Sequence, residues 1–130
     1  MKISNVKTFF VRPRWGFVKI ETDTGLFGWG EAVLEGHAAS VLACVNEMKD
    51  YLLGKDPADI EGLWSTMYRA GFYRGGGVLM SAISGIDQAL WDIKGKFFGA
   101  PDYPFFQGGL SLGHAVTFGY IAGKHAAENA

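Results

Sequence analysis

The sequence predicts an α+β fold, in which a three-stranded antiparallel meander is followed by a three-helix bundle. Two patterns carry this prediction. Residues 17–22 alternate between two faces and end at the turn Asp23-Thr24-Gly25, which is typical of a strand that enters a hairpin. Residues 79–97 instead repeat apolar side chains at steps of three or four, the period of one helix face. The strand patterns come first along the chain, and the helix patterns follow them.

The strand patterns fall in three segments, residues 2–11, 17–22 and 26–33. In the second segment, Val18 and Ile20 lie on one face and alternate with larger or charged side chains on the other. In the third segment, Gly28 and Gly30 leave one face almost without side chains. A bare strand face lets another element approach closely, so we expect a helix to pack there.

The first two helices are predicted from apolar positions and from their end signals. One covers about residues 37–53 and ends at Gly54. Its apolar positions are Val41, Cys44, Val45, Met48, Tyr51 and Leu52. The next begins at Asp56-Pro57, a capping residue followed by proline at the first helical position. Its predicted buried face consists of Ile60, Leu63, Trp64, Met67 and Tyr68.

The third helix has the strongest pattern in the chain. Its apolar stripe consists of Leu79, Ile83, Ile86, Leu90, Ile93 and Phe97, widened by Ala82 and Ala89. Asp92 and Lys96 are four residues apart with the acid first, the favoured order for an ion pair on a helix. Gly99 followed by Pro101 predicts the end of this helix.

The remaining residues indicate the start of a second domain. Residues 101–109 read as an aromatic-rich connector, 115–121 as a strand, and 124–130 as the first part of a helix. A parallel strand needs a crossover and a partner strand, and neither follows in this sequence. We therefore expect a first domain at residues 1–109 and a second domain, cut short, at 110–130.

Composition narrows the classes of function. The chain has 130 residues and a net charge of −1, which argues against a nucleic-acid partner and against an acidic membrane surface. The single cysteine, Cys44, excludes an internal disulfide and fits a reducing compartment. The first residues lack the apolar core of a signal peptide, and no apolar run is long enough to span a membrane. These observations predict a soluble cytoplasmic protein.

Several motifs together resemble the N-terminal capping domain of the enolase superfamily, in its mandelate racemase/muconate lactonizing enzyme-like branch. The motifs are Gly28-Trp29-Gly30-Glu31, Asp56-Pro57, Met67-Tyr68-Arg69-Ala70-Gly71-Phe72-Tyr73-Arg74-Gly75-Gly76 and Ser81 to Lys96. The run from Ile86 to Lys96 is highly specific for the superfamily. The Tyr73-Arg74-Gly75-Gly76 loop is similar to the galactonate dehydratase group. The resemblance extends to about Gly109.

The resemblance implies a division of labour. Complete members have a capping domain and a (β/α) barrel, so residues 110–130 would be the start of that barrel. The barrel carries the Mg²⁺ ligands and the acid/base residues. A proton next to a carboxylate is removed, the metal stabilises the enediolate, and hydroxide leaves. A barrel needs at least ~200 residues, so this chain is expected to hold no catalytic residue, metal ligand or cofactor, and to be inactive alone. The complete lyase is expected to be a homo-oligomer.

Some positions depart from the family pattern. Gly77 stands where proline is expected, and His37 stands where the dehydratases carry arginine. Phe105-Phe106-Gln107 and Ser111-Leu112-Gly113 also differ from the usual approach to and exit from the double glycine. These departures concern the sugar-acid substrate and leave the fold prediction unchanged.

The family's specificity loops correspond here to residues 12–16 and 32–36, reaching His37. Arg14 and Trp15 are the first candidates for substrate contact, and Tyr73 and Arg74 are candidates to hydrogen-bond a sugar acid. Each has an alternative structural reading. Arg14 could be solvated beside a tryptophan packed on the sheet, Arg74 could pair with a carboxylate, and His37 could be a neutral residue near a helix start.

Other chemistry-bearing residues have weaker patterns. Glu31 could act as a general base, but a single carboxylate without a partner favours a structural role. His114 and His125 lack further ligands nearby, so they do not indicate a metal site. The glycines at 75–77 lack the Lys-Ser/Thr of a phosphate-binding loop.

A second hypothesis is that the chain is a self-contained, non-catalytic domain that binds a partner or assembles with itself. The two hypotheses differ in what the reading frame encodes after Ala130. Continuation into barrel strands favours the dehydratase, whereas a stop codon favours the self-contained domain.

Overall fold

The computed structural model of the chain describes residues 1–99. Its sheet consists of β1 (Ile3–Val11), β2 (Trp15–Thr22) and β3 (Phe27–Glu31), antiparallel and in the order β1-β2-β3. The predicted meander is therefore confirmed. The connector, the barrel strand and the last helix predicted at residues 101–130 lie outside the described residues, as does the boundary at 109.

The alternation of β2 sorts its side chains between two environments. Val18 and Ile20 are fully buried under the helices, whereas Lys19 and Glu21 lie on the opposite, outer face of the sheet. Gly25 closes the β2–β3 hairpin with a φ of 86°, a left-handed conformation that side chains disfavour. The amide of Thr22 donates to the carbonyl of Leu26 at 2.9 Å across this turn. The hairpin prediction is thus confirmed.

The helices follow in the predicted order, but their bounds differ. They are α1 (Ala38–Glu47), α2 (Lys49–Leu52), α3 (Ile60–Ala70) and α4 (Gly77–Phe97). The prediction of one continuous helix over 37–53 is wrong, because the helix is interrupted at Met48 by a tighter turn. The Met48 amide is shared between the carbonyls of Cys44 and Val45, each at 3.2 Å. Around this point Met48 and Leu52 are buried, whereas Tyr51, one of the predicted apolar positions, is 40% exposed.

The predicted cap of the second helix at Asp56 is wrong by three residues, because the N-cap is Asp59 and α3 begins at Ile60. Two aspartates compete to cap it. Asp59 accepts a hydrogen bond from the amide of Gly62 at 3.2 Å and is the N-cap. Asp56 instead accepts from Ala58 at 3.0 Å, so that Asp56-Pro57 forms a turn before the helix. Of the five predicted buried residues of this helix, Trp64 and Tyr68 are only partly covered and stack on each other at 5.1 Å.

Helix α4 packs against the bare face of β3, as the two strand glycines predict. A Cβ atom on Gly28 would overlap the carbonyl oxygen of Ala89, and one on Gly30 would overlap that of Gly85. Gly85 in turn leaves room for Ala32, which follows β3. The strand and the helix therefore run antiparallel at backbone-to-backbone distance, which no larger side chain at these positions allows.

Three α4 side chains also bind the outer edge of β3. Gln88 Oε1 accepts from the amide of Glu31 at 3.0 Å, and Asp92 Oδ2 accepts from the amide of Trp29 at 2.8 Å. Lys96 Nζ donates to the carbonyl of Phe27 at 3.1 Å and to Asp92 at 2.9 Å, which confirms the predicted ion pair. Four helix residues rise about 6.0 Å and two strand residues about 6.6 Å, so successive contacts stay in register.

The predicted α4 stripe is buried from Ala82 to Ile93, and its last member is not. Phe97 is 60% exposed, because the helix continues past the strands that cover its other apolar residues. It lines a groove of about 260 Å³ with Met1, Pro57 and Phe98. In residues 1–99, no helix is long and apolar enough to cross a membrane.

Replacing Leu90 by alanine is expected to lower the free energy of unfolding by about 2–5 kcal/mol, the range for removing a fully buried leucine. Leu90 has no exposed surface. Leu53→Ala is the matched control, because Leu53 is 43% exposed, and its loss should stay below about 1 kcal/mol. Denaturant unfolding of both variants measures the difference, and equal losses would show that the buried face of α4 is assigned wrongly.

Replacing Asp92 by alanine is expected to cost about 1–3 kcal/mol, because it leaves the partly buried amide of Trp29 without its acceptor. Hydrogen exchange at the Trp29 amide should quicken in the same variant. Asp50→Ala, which removes an exposed aspartate from α2, serves as the control. Unchanged exchange at Trp29 would contradict the role of Asp92 in binding β3.

Candidate functional site

Three loops gather at one end of the domain. The β1–β2 loop and the segment after β3 both lie at this end because the strands are antiparallel. Helix α4 runs against β3, so the loop that precedes Gly77 arrives there too. A Cβ atom on Gly77 would lie 3.1 Å from Leu34, which places the α4 start beside the segment after β3. The five residues predicted to face substrate, Arg14, Trp15, His37, Tyr73 and Arg74, all belong to these loops or their ends.

Arg14 is the charged centre of this end. Its guanidinium forms an ion pair with Glu35, which joins the β1–β2 loop to the segment after β3. It also lies over the ring of Trp15, 4.7 Å from the ring centroid, a cation–π contact. Sequence reasoning selected Arg14 and Trp15 but missed Glu35, because no periodic pattern pairs residues between two loops.

The backbone holds these two loops together below the ion pair. The amide of Ala32 donates to the carbonyl of Gly16 at 2.8 Å, which joins the two loops. Within the segment after β3, the amide of His37 donates to the carbonyl of Leu34 at 2.8 Å and closes a turn before α1. A Cβ atom on Gly16 would approach the Ala32 carbonyl too closely, so glycine permits this contact. His37 is the exposed N-cap residue of α1, and its side chain makes no capping hydrogen bond.

The third loop presents aromatic rings to solvent. Tyr73 is 88% and Phe72 is 93% exposed, and the two rings meet edge to face at 5.2 Å. Gly75 and Gly76 follow with φ values of 80° and 88°, which turns the chain into α4. The sequence indicated Tyr73 and Arg74 as candidates but not Phe72, because nothing in the sequence shows that this phenylalanine is exposed. An exposed aromatic pair beside an arginine can stack on and hydrogen-bond to a polar ligand.

The surroundings of two carboxyl groups, those of Glu31 and Asp87, raise their pKa values. Burial raises the pKa of Glu31, and the nearby Arg14 opposes that rise. Burial alone raises the pKa of Asp87 on α4. The backbone amide of Glu31 is bound by Gln88 on α4, so this residue is anchored at the end of β3 next to the loops.

A third shifted carboxyl group lies away from this end, on the outer face of the sheet. Lys19 and Lys7 both bind Glu21 and lower its pKa to about 2. Here a structural ion cluster perturbs the pKa, so the shift by itself does not mark a functional site.

The donor set of the described part does not fit a metal ion. In residues 1–99, no group of three or more His, Cys, Asp or Glu side chains is close enough to hold one. Magnesium prefers several oxygen ligands in octahedral geometry. The loops offer instead a guanidinium, aromatic rings and an imidazole, which suit recognition of a polar organic ligand.

Comparison with known proteins assigns this domain to a family. Residues 7–103 match the family described as mandelate racemase / muconate lactonizing enzyme, N-terminal domain. The chain belongs to this family. The capping-domain fold predicted from the motifs is therefore confirmed, and the family's specific run from Ile86 to Lys96 is the segment that supplies Gln88, Asp92 and Lys96 to β3.

Relatives within the family include D-galactonate dehydratases. One from Verminephrobacter eiseniae (strain EF01-2) is 57% identical over 128 residues, covering 98% of this chain and 33% of that protein. One from Xanthomonas campestris pv. campestris (strain B100) is 58% identical over 123 residues, covering 95% of this chain and 32% of that protein. The chain thus spans about a third of the length of these curated relatives.

A solved structure similar to this chain is that of an enolase from Pantoea ananatis with bound D-gluconate and magnesium. It is 42% identical to this chain with a TM-score of 0.70, and the match covers 75% of this chain and 25% of that one. The similarity at this level shows the fold of the family domain.

The ion cluster around Glu21 generates a prediction about pH. The folded state lowers the pKa of Glu21 from 4.5 to about 2, so the carboxylate form is favoured by folding. The stability that Glu21 contributes is therefore present above pH 4.5 and is lost as the pH falls toward about 2. As the pH is lowered through this range, the free energy of unfolding of Glu21→Gln should therefore fall less steeply than that of the parent chain.

Urea unfolding at several pH values in that range measures the difference. Glu47→Gln, an exposed carboxyl group on α1, should keep the slope of the parent chain. Burial raises the pKa values of Glu31 and Asp87, so these two groups add stability as the pH falls, opposite to Glu21. They do so equally in every variant, and the difference in slope between variants therefore reports Glu21. Identical slopes in all three proteins would show that the cluster does not form in solution.

Proposed function

We propose that this chain is the N-terminal part of an acid-sugar dehydratase of the galactonate type, a carbon–oxygen lyase, and that it supplies the substrate-capping domain. The observation that carries the proposal is the similarity to D-galactonate dehydratases over nearly the whole chain. The loops support it, because they bring a cation and aromatic rings to one end of the domain.

In this proposal the loop end covers the substrate and recognises the part of the sugar acid remote from the reacting carbons. Arg14 would donate hydrogen bonds to hydroxyl groups while Trp15 covers the guanidinium face. Tyr73, Arg74 and His37 would contact the same ligand from the other two loops. A closed loop end excludes water, which strengthens each charge interaction inside. The glycines at 75 and 76 place the third loop without hindrance from Cβ atoms.

The chemistry itself is assigned to the part of the protein beyond this chain. A base would remove the proton next to the carboxylate, and hydroxide would leave from the neighbouring carbon. Mg²⁺ would supply positive charge for the enediolate in the complete enzyme, and the Pantoea relative was solved with magnesium. The described residues provide no ligand set for that ion, so none of them is given a role in these steps.

We also propose a cytoplasmic homo-oligomer. The sheet supports the oligomer, because Phe9, Phe10 and Val11 at the end of β1 are each 40–48% exposed. Apolar side chains in a row along an edge strand favour contact with another chain. The balanced charge of −1 likewise gives no basis for a nucleic-acid or membrane partner.

A dehydration assay tests the proposed function. The complete protein encoded by the reading frame that begins with residues 1–130 should convert D-galactonate, with Mg²⁺ present, into a keto acid. A carbonyl reagent detects this product. The 130-residue chain alone should show no turnover. Arg14→Ala in the complete protein should lower kcat/KM about 10- to 100-fold, the effect of losing one charged hydrogen bond.

Lys55→Ala is the control, because Lys55 binds Ile3 through its backbone at the opposite end of the sheet. Its kcat/KM should match that of the parent protein. A stop codon directly after Ala130, or a complete protein without turnover of any sugar acid, would contradict the proposal and favour a non-catalytic domain.

A further inference from the structure

Arg14 and Glu35 form an ion pair between the β1–β2 loop and the segment after β3. No other ion pair within residues 1–99 connects these two loops. Both side chains remain open to solvent, with 50% and 78% of their surfaces exposed. A ligand that arrives at this end of the domain therefore meets the pair itself rather than an isolated arginine.

Glu35 is not needed to hold the loops in place. The backbone contact between Ala32 and Gly16 already joins them, and Leu34 packs beside Gly77. Glu31, the other carboxyl group close to Arg14, is partly buried and bound to α4 through its backbone. Glu35 is thus the carboxyl group at this end whose replacement should leave the scaffold unchanged.

The charge of the pair determines which ligands fit. A guanidinium has five N–H donors, so Arg14 can bind Glu35 and still donate to a ligand hydroxyl. A hydroxyl can also donate to the Glu35 carboxylate. A ligand carboxylate can only accept, and where it approaches Arg14 it meets the carboxyl groups of Glu35, paired with Arg14, and of the nearby Glu31. Like charges brought close together repel, which disfavours binding of a ligand carboxylate there.

We propose that Glu35 is a specificity residue that makes this loop end favour acid sugars ending in a hydroxyl group over acid sugars ending in a second carboxylate. The inference rests on the proposed function, since it concerns the same ligand class and the same loops. It assigns to Glu35 a role in neutralising Arg14, and not a role in catalysis.

Binding to the 130-residue chain tests the proposal without turnover. The chain is titrated at low ionic strength, where charge effects are least screened, with D-galactonate and with galactarate, which differ at the distal carbon. The NMR signals of the Arg14 side chain and the Trp15 indole report binding. Glu35→Gln should strengthen galactarate binding about three- to fivefold relative to galactonate, the size of one exposed charge interaction.

Two variants control the measurement. Glu47→Gln removes the same charge from α1 and should leave the ratio of the two affinities unchanged, which separates a local effect from net charge. Arg14→Gln combined with Glu35→Gln should restore a ratio close to that of the parent chain, because the cation that attracts the second carboxylate is gone.

The outcomes separate this inference from the proposed function. If the parent chain binds galactonate but Glu35→Gln leaves the affinity ratio unchanged, the role of Glu35 is wrong and the capping function stands. If neither acid shifts the Arg14 or Trp15 signals in the parent chain, the loop end does not bind sugar acids by itself and the role of Glu35 is overturned, whereas turnover of D-galactonate by the complete protein decides the proposed function separately.

Discussion

Helix α4 can lie directly on strand β3 only because both surfaces lack side chains where they meet. Gly28 and Gly30 on the strand face Ala89 and Gly85 on the helix, and any larger residue would force the two backbones apart. A glycine inside a helix costs about 1 kcal/mol relative to alanine. At Gly85 that cost is offset by close packing against Ala32 and by the hydrogen bonds that the short distance permits. Gln88, Asp92 and Lys96 reach the strand backbone for the same reason.

The position of the loop end follows from this contact. Once α4 is fixed along β3 in antiparallel register, its first residue must lie where the strand stops, beside Leu34. The β1–β2 loop is brought to the same place by strand pairing and by the hydrogen bond between Ala32 and Gly16. The residues with candidate binding roles therefore need no contact with one another to be gathered. Rigid elements underneath determine where the loops begin, and the loops themselves remain free to differ between relatives.

Periodic patterns predicted most of the fold, and they did so where burial is continuous. The alternation around Val18 and Ile20 and the α4 stripe from Ala82 to Ile93 report one buried face each, so both were found from the sequence. Helix ends were harder. Asp56 and Asp59 carry the same capping chemistry, and only the three-dimensional path decides between them. The break at Met48 leaves the apolar spacing almost unchanged, and hence the sequence predicts one helix there.

For the candidate site, the sequence indicated single residues and the family's loops but not their partners. Glu35 is an exposed glutamate in a loop, a residue type that is common on any surface, and its pairing with Arg14 depends on how two separate loops are held. Phe72 was missed for a similar reason, because aromatic residues are usually buried.

The binding of β3 by α4 also decides how the sheet can grow. The outward-facing amides of Trp29 and Glu31 and the carbonyl of Phe27 are all occupied by helix side chains, so no further strand can pair on that side. On the opposite side, within residues 1–99, only Ile3 at the start of β1 exchanges backbone hydrogen bonds with the segment at Gly54 and Lys55. Any strand that extends this sheet, from the same chain or from a neighbour, must therefore add beside β1.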